Sequence, residues 1–242
     1  MRTANPALNN DMFIQAMHDD TQMTLQGTVG KTFFLLCLVV GSALVPWVGF
    51  GAAPGIAMGL MIPCAIGGFI VAMVTIFKKT WAPYTSPIYA VLEGFFLGSV
   101  SAMFEARYPG IAFQAIGLTF GTLGGLLMAY TSGMIKATEN FKLGVVAATG
   151  GIALLYLASI VLGFFGTEIP FIHESGLMGI GFSMFVVVIA ALNLVLDFDF
   201  IENGCEAGAP KYMEWYAAFG LLVTLVWLYM EILRLLAKMR NR

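Results

Sequence analysis

Seven long apolar blocks, separated by short polar connections, dominate the sequence. They cover residues 32–50, 55–77, 86–104, 111–132, 143–165, 176–201 and 212–236. A helix needs about 20 residues to cross the hydrocarbon core of a bilayer. Each block is therefore long enough for one crossing. The pattern predicts an all-α membrane protein, a bundle of seven transmembrane helices in residues 32–242, preceded by a polar N-terminal arm in residues 1–31.

The composition excludes several other classes of protein. Hydrophobic residues make up 59% of the chain and charged residues 11%, whereas a soluble domain is about 25% charged. The basic residues are scattered and the net charge is −2, which argues against a nucleic-acid partner. His18 and His173 stand alone in polar segments, and the three cysteines are widely spaced. We find no catalytic motif and expect neither an enzyme nor a resident cofactor.

The distribution of lysine and arginine predicts the orientation. With seven crossings, one side receives Arg2, Lys31, Lys78, Lys79, Lys136, Lys142 and Lys211. The loops of the other side receive only Arg107, so the N-terminus is expected in the cytosol. The basic residues within 234–242 would then lie outside. Either these late charges are an exception or one block does not cross, and we favour seven crossings.

A glycine repeat marks the fourth block. Gly117, Gly121 and Gly125 recur every four residues and so share one face of a helix. Such small-residue faces let neighbouring helices approach closely. The repeat is expected to be a packing face rather than a lipid-exposed one.

Four carboxylates within or near the ends of the apolar blocks are the functional candidates: Glu93, Asp197, Asp199 and Glu231. A charge at the bilayer centre costs roughly 2.5–3.5 kcal/mol, so such residues face the protein interior or a water-filled cavity. The helical rise places Glu93 about 10 Å and Asp197 about 14 Å from the cytosolic side, so the two could meet. Glu231 would lie about 28 Å away, where a local pair with Arg234 is the simpler interpretation.

Asp197 and Asp199 do not share a helix face, because two residues turn the helix by about 200°. Asn193 precedes Asp197 by four residues and is expected to form a polar stripe with it. Two close carboxylates share a proton more readily than they both ionise. Such a pair could bind a cation when deprotonated and release it when protonated.

The predicted proton- or cation-sensing residues are Asp197, Glu93, Asp199 and Asn193, with Glu231 as a further acid on the seventh helix. Asp197 and Glu93 are also the expected ligands of a transient Ca²⁺, which prefers oxygen ligands. The alternatives are a buried polar network for Glu93 and Asp197, and a solvated helix end for Asp199.

Three stretches carry a resemblance to a known family: SPIYAVLEGFFLGSVSAMFEARYPGI (86–111), VVAATGGIALLYLASIVLG (145–163) and residues 191–240, which include ALNLVLDFDFIENG. The chain resembles the Bax inhibitor family, the transmembrane Bax-inhibitor-motif (TMBIM) proteins, in a bacterial branch. The resemblance implies six helices around a central seventh and a pH-sensitive calcium leak. It also implies a pair of acids on helices 6 and 7. The first matches Asp197, with Asp199 as the near alternative, and the second falls at Thr224.

Two functions remain open from the sequence. The first is a pH-sensitive cation (Ca²⁺) leak channel in the bacterial cytoplasmic (inner) membrane, gated by protonation of buried carboxylates. The second, which the resemblance implies, is a non-transporting regulator that binds another membrane protein, such as a membrane-bound AAA protease, through the arm of residues 1–31.

Overall fold

The computed structural model describes residues 22–51, 54–166 and 176–241. In these residues it contains no strand and seven α-helices. They are α1 Leu25–Phe50, α2 Pro54–Phe77, α3 Ala82–Arg107, α4 Ile111–Thr131, α5 Glu139–Phe164, α6 Leu177–Glu206 and α7 Met213–Arg240, with a short 3-10 turn at Lys79–Trp81. All seven helices contain a stretch long and apolar enough to cross a membrane. The predicted seven-helix membrane bundle is confirmed, whereas His18, His173 and residues 1–21 of the arm lie outside the described residues.

Helix α7 forms the centre of the bundle. In its most apolar stretch 61% of the residues are buried, compared with 11% for α5. It packs against α1, α3, α4 and α6. A helix that buries most of its circumference belongs to a protein core rather than to a lipid-facing surface. The middle of α7 is apolar and largely uncharged. Other helices can therefore pack around it, as expected for a central seventh helix.

Helices α1 and α3 approach each other closely because α3 presents two glycines to α1. A Cβ atom on Gly94 would overlap the side chain of Ser42 and the carbonyl oxygen of Val39. A Cβ on Gly98, one turn further, would overlap the backbone of Ala43. This is the small-residue contact by which membrane helices pack backbone to backbone.

The glycine repeat of α4 has a different position from the one expected. Gly117, Gly121 and Gly125 are exposed, and no described atom lies within 4 Å of a Cβ built on any of them. The buried face of α4 instead includes Ala115 and Thr119. Gly117 lies two residues from each, about 200° around the helix, so the predicted packing role within the bundle is wrong.

Contacts between helix ends define two faces of the bundle. The N-terminal face, where α1, α3, α5 and α7 begin, is held by an ion pair between Lys31 and Glu214. At the opposite face Arg240 donates hydrogen bonds to the carbonyl oxygen of Pro109 at 2.8 Å and to Gln114 at 3.0 Å. The end of α7 therefore lies beside the α3–α4 loop, as seven alternating crossings require.

Candidate functional site: a carboxylate cavity between α2, α3, α6 and α7

Glu93 and Asp197 line one cavity of about 590 Å³, which lies between α2, α3, α6 and α7. Glu93 lies 11 residues from the start of α3 and Asp197 lies nine residues from the end of α6. At about 1.5 Å per residue these separations correspond to roughly 16 Å and 14 Å from the N-terminal face. The sequence predicted that Glu93 and Asp197 lie at similar depth. In the structure they do, and their side chains line the same cavity.

The rest of the lining is apolar and aromatic. Its aromatic side chains are Phe69, Tyr89, Phe96, Phe200, Tyr216 and Phe219. No lysine, arginine or histidine is among the described lining residues. One of the lining rings, that of Tyr216, is approached by a cation: the ammonium of Lys79 lies 5.3 Å from its centre. The cavity thus combines two carboxylates with an apolar wall that supplies no balancing positive charge.

Asp197 has an unpaired oxygen in this setting. Its Oδ2 atom is buried and has no hydrogen-bond partner in the part of the chain that the structure describes. Thr224 on α7 lies close to this carboxyl group, although the recorded hydrogen bond of its hydroxyl goes to the carbonyl oxygen of Gly220 at 3.3 Å. Thr224 is the position to which the family resemblance assigned the acid of helix 7. That position does face Asp197, but it offers a hydroxyl where a carboxylate was expected.

Glu93 is held by its neighbours on α2 and α3. A Cβ built on Gly68 of α2 would lie 3.0 Å from Oε2 of Glu93, so the carboxylate rests against the bare backbone of that glycine. Tyr89, one helical turn earlier, is buried and meets the ring of Phe219 edge to face, with 5.0 Å between ring centres. These contacts fix the wall of the cavity on the side of α3.

Asp199 points away from the cavity, as its separation of about 200° from Asp197 predicts. It forms an ion pair with Lys142 at the start of α5, with 2.9 Å between Nζ and Oδ2. Its carboxylate also accepts a hydrogen bond from the amide of Asn203 at 2.8 Å. The structure places Asp199 in a contact between α5 and α6 rather than with Glu93.

Asn193 does not line the cavity either. Its amide donates to Oγ1 of Thr149 on α5 and to the carbonyl oxygen of Ile189, both at 2.8 Å. The i, i+4 spacing puts Asn193 and Asp197 on neighbouring parts of α6, but the side-chain acceptor recorded for Asn193 is Thr149 on α5. The expected polar stripe is therefore divided between two helix interfaces.

Glu231 belongs to a separate polar cluster nearer the opposite face. Both of its carboxylate oxygens lie 3.1 Å from Nη1 of Arg234. Its Oε1 also accepts hydrogen bonds from the Tyr156 hydroxyl at 3.0 Å and from the Trp227 indole at 3.3 Å. The local pair with Arg234 that the sequence suggested is present, and Glu231 is not part of the cavity.

Glu214, which the sequence analysis did not single out, is fully buried at the start of α7. Its Oε1 accepts hydrogen bonds from the backbone amide of Thr24 at 2.9 Å and from the Thr24 hydroxyl at 2.8 Å. It also forms ion pairs with Lys31 and, at 3.4 Å, with Lys211. The signal in the sequence was an acid in the first turn of a helix, where it complements the helix dipole, but its partner lies 190 residues away.

The donor set of the cavity is small for a metal ion. The described residues contain no group of three or more His, Cys, Asp or Glu side chains placed to hold one. Calcium usually takes about 6–8 oxygen ligands. Glu93 and Asp197 would therefore supply only part of the coordination of a Ca²⁺, and water would have to supply the remainder.

The comparison with known families agrees with this architecture. A family model described as Bax inhibitor 1 like matches residues 5–241. No curated protein has a significant match to the chain. Because the family match extends over nearly the whole sequence and the seven helices, the chain belongs to the Bax inhibitor 1-like family.

Proposed function

We propose that this protein is a non-enzymatic cation leak channel in which protonation of Glu93 and Asp197 controls the passage of the ion, with Ca²⁺ as the expected ion. The observation that carries the proposal is the shared cavity: two carboxylates from distant parts of the chain line one cavity inside the membrane-spanning bundle. The lysine and arginine distribution supports a cytosolic N-terminus, and the family resemblance implies a bacterial cytoplasmic membrane.

In this proposal the charge of Glu93 and Asp197 controls whether a cation enters the cavity. When deprotonated, the two carboxylates create a negative potential in a cavity whose described lining carries no positive side chain, and low-dielectric walls concentrate such a field. Protonation removes that charge and with it the attraction for a cation. The phenols of Tyr89 and Tyr216 are the remaining titratable groups in the described lining. A phenol normally loses its proton only near about pH 10, so the carboxylates are the lining groups whose charge acidification removes.

We infer that apolar side chains of α7 close the route beyond the cavity. Leu222, Leu225 and Leu228 of α7 are all buried in the hydrophobic core. Apolar constrictions block ions because water does not wet them. Opening the leak would then require α7 to move relative to its neighbours. Asp197 on α6 and Gly220 on α7 line the same cavity, so such a movement would change the surroundings of Asp197.

Calcium flux in liposomes tests the proposal. The purified protein is reconstituted, and flux is followed with an encapsulated indicator across a range of pH for Asp197→Asn and Glu93→Gln. Both variants keep the side-chain volume but remove the charge, and both are expected to lose the pH response. Asp199→Asn is the matched control, since Asp199 lies on the same helix but pairs with Lys142 outside the cavity.

Two results would overturn the channel proposal. One is flux through the wild-type protein no greater than through protein-free liposomes. The other is an unchanged pH response in both Asp197→Asn and Glu93→Gln.

A second candidate function, regulation of another membrane protein, has one structural observation in its favour. The amide of Met23 donates to the carbonyl oxygen of Ala209 in the α6–α7 loop at 2.7 Å, and Thr24 bonds to Glu214. The base of the N-terminal arm is thus attached to the two helices that carry Asp197 and Thr224. A partner such as a membrane-bound AAA protease that binds the arm would act on these helices.

Deletion of residues 1–21 separates the two candidates, because it leaves the attachment at Met23 and Thr24 in place. If the arm binds a partner, the deletion abolishes co-purification of that partner from membranes while calcium flux persists. If no membrane protein co-purifies with the full chain, the regulatory candidate loses its support.

A further inference from the structure

We propose that the cavity shared by Glu93 and Asp197 binds an organic cation with apolar substituents, admitted from the lipid phase between α2 and α6. This inference rests on the proposed function, because it takes the two carboxylates to be a cation site. It adds the chemical class of the ligand and the path by which the ligand arrives.

The size and composition of the cavity suit an organic molecule. Pockets for small molecules typically measure about 300–1,000 Å³ and are mostly apolar, with a few placed polar groups. This cavity, of about 590 Å³, has two carboxylates and two phenols in an otherwise apolar wall. The described residues do not provide a metal-binding cluster. A cation whose charged centre carries organic substituents needs far fewer oxygen ligands than a metal ion.

One wall of the cavity is a continuous row of aromatic rings. Tyr89 meets Phe219 with 5.0 Å between ring centres, Phe219 meets Tyr216 at 6.4 Å, and Tyr216 meets Phe200 at 6.3 Å. Aromatic faces attract organic cations through their quadrupoles, most strongly where water is excluded. The row therefore offers an apolar surface that also favours positive charge.

The unpaired Oδ2 atom of Asp197 indicates that the ligand carries a positive charge. An ionised carboxylate without a counter-charge is costly in an apolar setting, and this oxygen has no hydrogen-bond partner in the described residues. An ammonium or phosphonium centre beside it would supply the opposite charge. Its substituents would then pack against the aromatic row.

The outer wall of the cavity is open toward the lipid. Phe69 on α2 and Phe200 on α6 both line the cavity, yet they are 65% and 45% exposed. In the described residues α2 packs against α1 and α3 and makes no extensive contact with α6. The surface of a membrane span faces acyl chains, in which lipophilic cations concentrate. Such a ligand reaches the cavity sideways, without crossing the apolar core.

Binding of tetraphenylphosphonium tests the inference. Equilibrium dialysis with the full chain in nanodiscs, against protein-free discs, is expected to show saturable binding. Asp197→Asn and Glu93→Gln should each weaken it by roughly tenfold or more, which corresponds to about 1.4 kcal/mol, because a charge pair in a low dielectric exceeds that value. Asp199→Asn is the matched control and should bind as the wild type does.

Two further measurements keep the test independent of folding defects. Phe200→Ala changes a partly exposed residue and should weaken binding by about threefold, the size of one cation–aromatic contact. Triphenylphosphine oxide, which has similar rings but no net charge, should not compete. Saturable binding that is equal in the wild type, Asp197→Asn and Glu93→Gln would overturn the inference, and so would binding no greater than in protein-free discs.

The failure of this inference is distinguishable from that of the channel proposal. If pH-dependent calcium flux is present but tetraphenylphosphonium does not bind, the ligand class is wrong and the channel proposal stands. If the cation binds through Glu93 and Asp197 but calcium flux is absent, the channel proposal fails and the site remains. If both are correct, tetraphenylphosphonium inhibits the flux of the wild-type protein.

Discussion

Replacement of Glu214 by alanine should loosen the start of α1 from the bundle. Glu214 is 0% exposed and accepts two hydrogen bonds from Thr24, while it pairs with Lys31 and Lys211. The alanine variant removes the acceptor of both Thr24 donors and the counter-charge of both lysines. Because Thr24 caps the start of α1 and Glu214 lies in the first turn of α7, one substitution tests the contact that joins the peripheral helix to the central one.

The expected loss of stability is about 3 kcal/mol. Removal of one partner from a buried ion pair costs about 3–5 kcal/mol. The lower end applies because the Lys31 side chain is 19% exposed and can turn toward water once it is freed. Glu214→Gln should cost only about half as much, since its amide oxygen still accepts the hydrogen bonds of Thr24 while the charge is lost.

Thermal unfolding in detergent, followed by tryptophan fluorescence, measures the effect. By the scale of soluble domains of similar length, 3 kcal/mol lowers the midpoint by roughly 6–12 °C. Hydrogen exchange should also show faster exchange at the amides of Met23 and Thr24. Glu139→Ala, an exposed residue whose ion pair joins neighbouring turns of α5, should leave the midpoint unchanged. A midpoint for Glu214→Ala within about 1 °C of the wild type would refute the reasoning.

Three further predictions concern packing and the limits of the cavity. Gly94→Leu should lower the free energy of unfolding by about 3 kcal/mol, because a side chain there overlaps α1. Gly121→Leu, on the open face of α4, should leave the stability unchanged. Equal losses in the two variants would contradict the conclusion that Gly94 packs against α1 and Gly121 does not. Gly68→Ala places a methyl group against Oε2 of Glu93 and changes no charge. It should shift the pH profile of calcium flux, and an unaltered profile would argue against a role for the contact between Gly68 and Glu93. Glu231→Gln should lower stability by about 2 kcal/mol but keep the pH response of flux, whose loss would place Glu231 in the gate.

The seven spans could be predicted because a bilayer imposes a minimum length of apolar helix. The ends of the spans could not. Helix α1 begins at Leu25, although the first apolar block starts at residue 32. Thr24 caps the helix by accepting a hydrogen bond from Gly27, and Glu214 anchors that cap from the far end of the chain. Such a start depends on a tertiary contact that local hydrophobicity does not record.

For the candidate site, the depth and the helix face of each residue could be predicted, but its neighbours could not. The rise of a helix was enough to predict that Glu93 and Asp197 lie at similar depth. Helical periodicity was enough to predict that Asp197 and Asp199 face different neighbours. Periodicity could not decide which neighbour each face meets. Asn193 bonds to Thr149 on α5, and the glycine face of α4 is left open, because spacing defines a helix face but not the element packed against it.

A double-mutant cycle on pH-dependent calcium flux tests the central claim, that Glu93 and Asp197 act as one unit in one cavity. Flux is measured at several pH values for the wild type, Glu93→Gln, Asp197→Asn and the double variant. Residues that share a site are expected to be non-additive, so the double variant should be no more impaired than the worse single variant. Effects that multiply, as for two independent sites, would contradict the account.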